Sequence, residues 1–572
     1  MMMRTNPKSR PIHSYFSRFW VFVVAFQAIA LLFLSKGPSF ADSLDDALDA
    51  EIARSTTSLR QDEHPAPYFV SLRVDDASGA ELRCMLGGVQ QRSLYRDRRL
   101  VADLRVGSPE LDGRPEGAPE GLRGRELPYS ADAPALRRVL WSELDAAYKS
   151  AVAGFLRKKA ARVKRGKAEY ESDDLSREES GVFEEPEPAE SWPEEDLRRA
   201  ESLCRSASAV FRSASSWAPR SSGAGYYQLQ LSRRLRDSQG TRMRHSSRLA
   251  QLTLQASDLA PDGAPLSVSR VLLARGPGSL PDRMRVEEEA RAMIADLKAL
   301  QAAPSTSPFA APAIVDPSVA AALLEALAMR LSGEEQRDPD GAQTFRGKVG
   351  RPILPAFLTL IDDPAREEHG GRALLGHYRF DAEGVRAQKT VLVREGKLES
   401  FLLSRYPLPG LPNSNGHARA ASGYLPMGRA SNLILTSSRA LGREALLARL
   451  RELCVRNGKS QGLLIERAQS WSQQGGTNSR QSLRLVPTRV TLVDAASGAR
   501  TLVRDLDMVG TPLDLAGKIV ATGDDTSVTD NLVEQESGRI PVSVVAPSLL
   551  LEEVELQRSR AKPQKAPVLP PP

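Results

Sequence analysis

The sequence predicts an α+β protein built from two domains. Its 572 residues are more than one ordinary domain holds, and 41% hydrophobic with 26% charged residues is the composition of a folded chain. Before residue 303, long helical patterns alternate with strand patterns, whereas after residue 312 short strands with frequent Gly and Asp turns prevail. The Ala-, Pro- and Ser-rich stretch 303–312 between them is the predicted domain boundary.

The first 41 residues form a predicted signal peptide. Basic residues come first, an apolar run of 16 residues follows at 19–34, and the small residues Ser39 and Ala41 precede a predicted cleavage site before Asp42. The run is shorter than the roughly 20 residues that span a bilayer as a helix. We therefore expect an exported protein, periplasmic or secreted, with an uncleaved signal anchor as the alternative.

The charge and the cysteine content argue against two classes of function. Five of the 78 basic residues and none of the 71 acidic ones lie in 1–41, so the net charge of +7 falls to +2 without the leader and does not indicate a nucleic-acid partner. Cys84, Cys204 and Cys454 form no C-x-x-C pair, which excludes zinc-ribbon and thioredoxin-like sites. Three thiols allow at most one internal disulfide.

The amino-terminal α+β domain, 42–302, is predicted from apolar periodicity. Its clearest element is a helix at 133–164, which follows the cap candidates 130–132 and repeats apolar residues at helical spacing. Mixed charge and Glu-Pro repeats make 158–201 a charged helix end and loop. The other predicted elements are helices at 44–60, 195–214 and 281–302 and strands at 68–74, 81–86, 100–106, 226–235 and 242–255, with turns at 75–79 and 238–240.

The carboxy-terminal domain, 313–557, is predicted to be rich in short strands. Helical spacing occurs at 317–331 and 439–457, and the clearest strand patterns lie at 483–493 and 541–556. The tail at 558–572 contains Pro and Lys and is predicted to be unstructured.

The stretch from residue 381 to residue 432 carries a family resemblance. It contains Asp-Ala-Glu-Gly at 381–384, a hairpin pattern at 390–398, Asn-Gly-His-Ala-Arg at 415–419, and Tyr-Leu-Pro-Met-Gly-Arg at 424–429 followed by Asn432. This order resembles the carboxy-terminal half of the TldD/PmbA family, also called the modulator-of-gyrase family, whose pattern runs D-D-E-G, L-I-E-N-G-x-L, G-N-G-R and L-P-M-P-R-x-T-N. The resemblance covers most of residues 45–556.

The resemblance implies a fold and a class of activity. Family members have an amino-terminal α+β domain and a carboxy-terminal domain of curved, mostly antiparallel sheet with a few helices. TldD-type members are zinc peptidases with an H-E-x-x-x-H helix and a later Cys ligand, and they degrade peptides inside a dimer cavity. PmbA-type partners lack the ligands and form the other half of a heterodimer. A metallopeptidase-like protein in a homodimer or heterodimer is therefore implied.

The implied metal helix lacks zinc ligands. The match of 345–350 to the family's F-S-G-Q-V-G places the two histidine positions at Leu324 and Met329, and the cysteine position falls near Val533. Leu and Val offer no donor atom, and a Met thioether is a soft ligand that suits copper(I) better than zinc. Glu325 is then the remnant of a general base, because no metal lowers the pKa of a water for it to deprotonate. We expect no metal cofactor.

Other histidines offer weak substitutes for the missing ligands. His369 and His377, with Glu367 and Glu368 nearby, are eight positions apart, which is not a recognised ligand spacing. His417 occupies the glycine-rich turn where the family carries Arg, and we expect it to be a solvated loop residue. A Ser-His-Asp arrangement stays open, although no G-x-S-x-G elbow precedes a helix.

A substrate-binding loop is the part of the site that the resemblance retains. In the family, this loop lines the cavity where substrate peptide adds as an extended strand, a mode that reads little sequence. The positions that the resemblance assigns to peptide binding are Asn415, Gly416, Arg419, Tyr424, Leu425, Pro426, Met427 and Arg429. Gly428 replaces the family's second Pro and leaves the path of the loop in doubt.

Three hypotheses of function follow from these observations. The first is a catalytically silent family member that binds extended peptides or pairs with an active subunit. The second is a working metallopeptidase with non-standard ligands, and the third is an envelope-associated structural protein that reuses the fold. Fold similarity alone does not decide among them.

Overall fold

The computed structural model describes residues 40–559 and 562–565. Gaps within this range lie at 62, 118, 120, 122–123, 130–131, 166–171, 187–191, 213–218, 339–340, 469–471 and 474–482. The predicted signal peptide lies outside the described residues, except for Phe40 and Ala41, which begin the first helix. Within the described ranges, no helix combines the length and the apolar character that crossing a membrane requires.

The amino-terminal domain consists of one eight-stranded sheet and helices that cover it. The helices are α1 (Phe40–Ser58), α2 (Ala133–Arg165), α3 (Glu194–Arg212) and α4 (Arg283–Ala302). The strands are β1 (Pro67–Met85), β2 (Gly88–Ser108), β3 (Leu111–Asp112), β4 (Arg125–Glu126), β5 (Val182–Glu184), β6 (Ser221–Asp237), β7 (Arg242–Leu259) and β8 (Pro265–Ala274). Their order is β3-β2-β1-β6-β7-β5, with β4 beside β2 and β8 beside β7. The ladders are antiparallel except between β5 and β7.

The two faces of this sheet have different partners. Along β1, Val70, Leu72 and Val74 point to the helices, where they join a core with α1 and α2. Because side chains alternate along a strand, Arg73 and Asp75 point to the other face, where both bind main-chain groups of the carboxy-terminal domain. The polar face of the sheet is therefore a domain interface.

The predicted turn at 75–79 is wrong. β1 runs unbroken through these residues, and the chain reverses at Leu86 and Gly87, which have φ of 51° and 87°. Asp75 is tolerated inside the strand because Arg233 on the neighbouring strand pairs with it at 2.7 Å. Gly79 is tolerated because the ring of Tyr95 lies against it, 2.4 Å from where a Cβ would stand. Turn composition is thus overridden by contacts with neighbouring strands.

The carboxy-terminal domain contains short helices and many short strands. The helices are α5 (Pro317–Met329), α6 (Gly333–Arg337), α7 (Arg443–Arg456) and α8 (Pro512–Gly517). The strands are β9 (Phe309–Val315), β10 (Leu358–Asp362), β11 (Glu368–His369), β12 (Arg372–Ala373), β13 (Thr390–Arg394), β14 (Lys397–Leu398), β15 (Ala418–Arg419), β16 (Met427–Gly428), β17 (Asn432–Ser437), β18 (Ala440–Leu441), β19 (Gln461–Ala468), β20 (Ser472–Gln473), β21 (Leu483–Leu485), β22 (Pro487–Asp494), β23 (Arg500–Val503), β24 (Leu506–Gly510), β25 (Ile519–Gly523), β26 (Ser527–Gln535), β27 (Gly538–Ala546) and β28 (Leu549–Arg558).

These strands form two large sheets on either side of α5. The six-stranded sheet has the order β14-β13-β10-β17-β27-β26, and the ten-stranded sheet has the path β20-β21-β24-β28-β9-β19-β22-β23, with β25 beside β28 and β18 beside β25. Helix α5 packs against β26 and β27 of the first and β19 of the second. Its residues join one large hydrophobic core with both sheets. The α+β prediction is confirmed.

Two predicted boundaries in this domain change. The strand predicted at 541–556 is two strands, β27 and β28, because the chain crosses from the six-stranded to the ten-stranded sheet at Pro547 and Ser548. Pro has no N–H for a ladder, and Ser548 donates its main-chain N–H and its hydroxyl to Asp525 at 2.8 Å and 2.6 Å. In addition, β9 begins at Phe309, inside the stretch predicted as the domain boundary.

Candidate functional site

Helix α5, which the resemblance identifies with the metal helix, is buried on nearly all sides. It begins with Pro317 at its first turn, carries mostly Ala and Leu, and continues without a break to Met329. A helix that is apolar all round belongs in a protein interior, and α5 lies between the two sheets. Leu324 is 2% exposed within the large core, whereas Met329, the last residue of the helix, is half-buried.

Glu325 is held by a neighbouring strand. Its carboxylate is 3% exposed, and its Oε1 accepts a 2.6 Å hydrogen bond from Nδ2 of Asn531 on β26. Val533 lies two residues further along β26 and therefore on the same face. It is 6% exposed and belongs to the same hydrophobic cluster as Leu324. The structure thus brings together α5 and the strand where the resemblance places the third ligand.

The loop residues Asn415 and Gly416 hold main-chain geometry. Asn415 donates from Nδ2 to the carbonyl of Phe401 at 2.8 Å and accepts from the amide of Leu403 at 2.9 Å. Gly416 has φ of 71°, and a Cβ there would lie 2.3 Å from the carbonyl oxygen of Arg386. Both residues therefore fix the path of the loop from within the fold.

Arg429 is also turned inward. Its guanidinium donates to the carbonyl of Val533 at 2.6 Å and to Ser537 Oγ at 3.1 Å, and the side chain is 1% exposed. Burial, followed by the nearby charge of Arg419, lowers the pKa of Arg429 to about 9. Arg429 therefore ties the loop to the β26–β27 hairpin. Met427, on β16, is equally buried at 1% exposure.

His417 is fully buried, so the expectation of a solvated loop histidine is wrong. Its Nε2 lies 3.1 Å from Oδ1 of Asp362, and its Nδ1 lies 2.9 Å from Oδ1 of Asn415. Ser431 donates its hydroxyl and its amide to the same carboxylate. Burial raises the pKa of Asp362, but the hydrogen bonds from His417 and Ser431 and the charge of His417 outweigh this effect, so the pKa is lowered.

The order of these three side chains does not suit nucleophilic catalysis. In a catalytic triad, the serine hydroxyl gives its proton to the histidine, and the carboxylate orients that histidine from its other side. Here Asp362 lies between Ser431 and His417, so the hydroxyl donates to the carboxylate and not to the histidine. The cluster is a buried polar network that joins β10, the loop and β17.

A cavity of about 710 Å³ lies between the two domains. Its floor is the polar face of β6 and β7, and its other walls come from 375–382, 418–422 and 539–541. Of the loop residues assigned to peptide binding, Arg419 lines this cavity. Its guanidinium lies 5.3 Å from the centre of the Tyr378 ring and donates to a main-chain carbonyl at 2.8 Å.

Two polar groups of the cavity have no hydrogen-bond partner within the described part of the chain. They are Nε2 of His245 and Oγ of Ser422. Burial and the charge of Arg233 lower the pKa of His245 to about 3, so its imidazole is neutral at physiological pH. Buried polar groups are normally satisfied. These two atoms are therefore unsatisfied buried groups of residues that line the cavity.

The end of the cavity loop is anchored by a buried ion cluster. Arg233 donates to the carbonyl of Ala420 at 3.0 Å, Arg73 donates to the carbonyl of Tyr424, and the amide of Gly423 donates to Asp75 at 3.0 Å. Burial opposes the charge of Asp75, but the two guanidinium groups lower its pKa to about 2. Leu425 and Pro426 then pack against the amino-terminal sheet beside Phe69.

Comparison with known proteins places the chain in a family. Residues 309–558 match the family model described as the PmbA/TldA metallopeptidase C-terminal domain. Over 92 residues the chain is 38% identical to a metalloprotease of Archaeoglobus fulgidus, which amounts to 16% of this chain and 20% of that protein. A Thermotoga maritima protein named as a modulator of a DNA gyrase superposes with a TM-score of 0.60 at 17% identity, over 90% of this chain and 99% of that chain. TldE of Thermococcus kodakarensis superposes with a TM-score of 0.57 at 14% identity, over 90% of this chain and 100% of that chain.

The carboxy-terminal domain of the chain, residues 309–558, belongs to the TldD/PmbA family. The two solved structures support the fold alone at these identities, and the chain matches only a fifth of the length of the archaeal metalloprotease. Membership therefore confirms the resemblance without carrying over an activity. The assignment of peptide binding to the loop residues stays a prediction, and of that set Arg419 has the most direct access to the cavity.

The residues of this TldD/PmbA chain do not fit the zinc that its peptidase relatives require. Leu324 and Val533 have no donor atom, and the thioether of Met329 is a poor zinc ligand. In the described ranges, no three His, Cys, Asp or Glu side chains are grouped so that they could hold a metal ion. His369 lies in the β11–β12 hairpin, and His377 instead places Nδ1 3.0 Å from a main-chain carbonyl.

The sequence did not predict the side chains on other strands that contact this site. Asn531 could have been suspected from its position two residues before Val533 on a strand. Arg73, Asp75 and Arg233 gave a weaker signal, namely charged residues at alternate positions of strands. That pattern indicates one polar face, but it does not indicate what covers that face.

Proposed function

We propose that this TldD/PmbA-family protein binds extended peptides between its two domains, outside the cytoplasm, and does not hydrolyse them with zinc. The observation that carries the proposal is the contact between α5 and β26. Leu324 and Val533 share a hydrophobic cluster there, and the amide of Asn531 engages Glu325. An apolar contact and an amide occupy the positions where peptidases of the family would hold a metal and its water.

The surroundings of Glu325 support the loss of hydrolysis. A general base must reach a water that a metal or another group has acidified. The carboxylate is 3% exposed, and one of its oxygens is engaged by Asn531 at 2.6 Å. With apolar side chains at Leu324 and Val533, the described residues supply no metal-binding cluster that would lower the pKa of a water here. Glu325 acts instead as the acceptor of a buried hydrogen bond.

The cavity between the domains supports peptide binding. Its volume of about 710 Å³ lies in the range of small-ligand and peptide pockets. An extended peptide presents main-chain donors and acceptors at regular intervals. Arg419, His245 and Ser422 are polar residues of the lining, while the face of β6 and β7 contributes aliphatic and aromatic side chains.

Export is supported by the leader and by a disulfide. Cys84 on β1 and Cys204 on α3 are bonded across 120 residues of sequence, with Cα atoms 5.9 Å apart. Structural disulfides persist in oxidising compartments and are rare in the cytosol. Together with the signal peptide predicted at 1–41, this bond favours a periplasmic or secreted protein.

Pairing is part of the same proposal. PmbA-type members lack the zinc ligands and act as one half of a dimer, and this chain lacks the ligands too. A homodimer or a heterodimer with a family paralogue would fit this role, and the fold similarity to TldE is consistent with it.

The test combines metal analysis, hydrolysis and binding on the purified mature protein. We expect no stoichiometric zinc, no hydrolysis of an unfolded casein-type peptide mixture, and measurable binding of a neutral extended peptide by fluorescence anisotropy. Stoichiometric zinc with EDTA-sensitive hydrolysis would instead establish an active metallopeptidase. Absence of both peptide binding and a co-purifying partner would favour the envelope-associated structural role.

A restoration variant checks the position of the lost site. Leu324→His, Met329→His and Val533→Cys together supply the ligand types that family peptidases use. We expect the triple variant to take up zinc, and the Leu324→His variant alone to take up none. Failure of the triple variant to bind zinc, with the fold retained by circular dichroism, would contradict the assignment of α5 as the metal helix.

A further inference from the structure

A second depression, here called the basic groove, lies within the carboxy-terminal domain. It has a volume of about 1010 Å³ and is formed by the segment 347–357, by α7, and by α8 with the start of β25. It shares no lining residue with the cavity between the domains. The groove is therefore separate from the proposed peptide site and plays no part in the proposed function.

The floor of the basic groove is apolar. Four buried aliphatic side chains form its base, and half-buried Phe357, Leu513 and Val520 widen it. The four are Ile353, Leu354, Leu453 and Ile519. Apolar surface in a concave site favours apolar groups of a ligand, because each Å² of apolar surface removed from water stabilises the complex by roughly 25 cal/mol.

The rim of the basic groove carries only positive charge. Five exposed cations surround the floor, and none of the lining residues is acidic. They are Lys348, Arg351, Arg439, Arg449 and Arg456. Because the chain beyond the leader carries a net charge of only +2, this is a local concentration of one sign.

The ion pairs at the rim leave most of this charge available. Arg449 pairs with Glu452 at 2.7 Å and Arg456 with Glu552 at 3.2 Å, and all four side chains are about half exposed or more. Exposed ion pairs of this kind contribute little to the stability of a protein. Across the residues that the structure describes, no carboxylate forms an ion pair with Lys348, Arg351 or Arg439. The guanidinium carbon of Arg439 lies over the ring of Phe357, 5.1 Å from the centre of that ring.

We propose that the basic groove binds an extended acidic segment of a partner protein. Apolar side chains of the segment occupy the floor, and its carboxylates meet the rim, where arginines can form paired hydrogen bonds with them. An extended chain places successive side chains on opposite sides about 3.3 Å apart, so alternating apolar and acidic residues match a floor flanked by cations.

Two other anionic partners fit the groove less well. A nucleic-acid strand would need exposed aromatic rings on which its bases stack, and the one ring in the lining, that of Phe357, is half-buried under Arg439. An anionic membrane surface is flat on this scale and would leave the apolar floor uncovered. A peptide satisfies both the floor and the rim.

The test uses a fluorescent peptide of alternating Leu and Glu with the full-length mature protein. We expect binding in low salt that weakens strongly at 0.5 M salt, because exposed charges are screened over distances of about 3–10 Å. Arg351→Glu should weaken binding by about tenfold or more. The matched control Arg500→Glu changes the charge equally at an exposed position outside the groove and should leave affinity unchanged.

Several outcomes would overturn the proposal. These are no binding of the Leu-Glu peptide to the wild type, equal loss of affinity in Arg351→Glu and Arg500→Glu, or tighter binding of a single-stranded oligonucleotide or of phosphatidylglycerol vesicles. Retention of neutral-peptide binding by Arg351→Glu separates this site from the cavity between the domains. Thermal melts of both variants establish that each is folded.

Discussion

Asp75 is the position where a single atom change should have the largest effect on both domains. The variant Asp75→Asn keeps the size of the side chain and removes its charge. In the wild type this carboxylate is fully buried between Arg73 and Arg233, which approach it at 3.1 Å and 2.7 Å, and it accepts the amide of Gly423. The variant leaves two buried guanidinium groups facing each other without an anion.

The magnitude follows from two separate effects. The pKa of Asp75 falls from 3.8 to about 2 in the folded state, and this difference corresponds to roughly 2 kcal/mol of stabilisation by the ionised carboxylate. Because the folded pKa is the lower one, this stabilisation is complete above pH 3.8 and disappears as the pH falls through about 2. Removal of one partner from a buried ion pair costs more, about 3–5 kcal/mol, since the remaining charges stay desolvated.

Urea denaturation and amide hydrogen exchange measure both effects. We expect the urea midpoint of Asp75→Asn at pH 7 to fall by an amount that corresponds to about 3–5 kcal/mol. The wild-type midpoint should fall between pH 4 and pH 2, and this acid-dependent part should be smaller in the variant. The amide of Gly423 should lose protection, because its acceptor is an Asp75 oxygen.

An exposed ion pair provides the control. Arg285 and Glu288 form an ion pair in which each side chain is 61% exposed. Glu288→Gln should therefore change the free energy of unfolding by less than about 1 kcal/mol. A midpoint for Asp75→Asn within that small range, with normal protection at Gly423, would refute the view that this carboxylate holds the domain interface together.

Three further substitutions test other parts of the fold. Cys84→Ser should lower the free energy of unfolding by about 4–5 kcal/mol, and a reductant should lower the wild-type urea midpoint to that of the variant without affecting the variant. Asn531→Ala removes the donor to Glu325 and should cost about 1–3 kcal/mol; a double-mutant cycle with Glu325→Gln that gives no coupling would contradict the hydrogen bond. Gly79→Ala places a methyl group 2.3 Å from a main-chain oxygen and 2.4 Å from Tyr95; we expect a loss of at least 1–3 kcal/mol, whereas an unchanged midpoint would show that the strand relaxes.

Local signals in the sequence were enough to predict most helices. The helix predicted at 133–164 is α2, Ala133–Arg165, and its start depends on Asp132, whose Oδ1 accepts the amide of Ala135 at 2.8 Å. Apolar spacing and a cap residue are both visible in the linear sequence. By contrast, the predicted turn at 75–79 failed because its acidic residues are neutralised by arginines of other strands, and no local pattern contains that information.

The site residues stay a prediction, and the directions of their side chains could not be read from the sequence. The sequence placed Leu324 and Val533 at one site, and the structure joins them in one cluster. It also assigned Asn415 and Arg429 to peptide binding, whereas the structure gives both of them main-chain partners inside the fold. A motif specifies that a residue is required, but whether its side chain faces a ligand or the fold depends on packing that only the three-dimensional structure provides.

Helix α5 packs against β26 where the resemblance places the metal ligands, and apolar side chains stand at those positions. In zinc peptidases of the family, the metal joins a helix to a later strand, and metal binding contributes to folding. Here Leu324 on α5 and Val533 on β26 belong to one large hydrophobic cluster, and each fully buried side chain of this kind stabilises the fold by roughly 1.5–3 kcal/mol. Glu325 keeps a partner through Asn531, so its buried carboxylate is not left unsatisfied. On the proposed function, the architecture around these positions holds together without a metal, and we expect the cavity between the domains to serve binding alone.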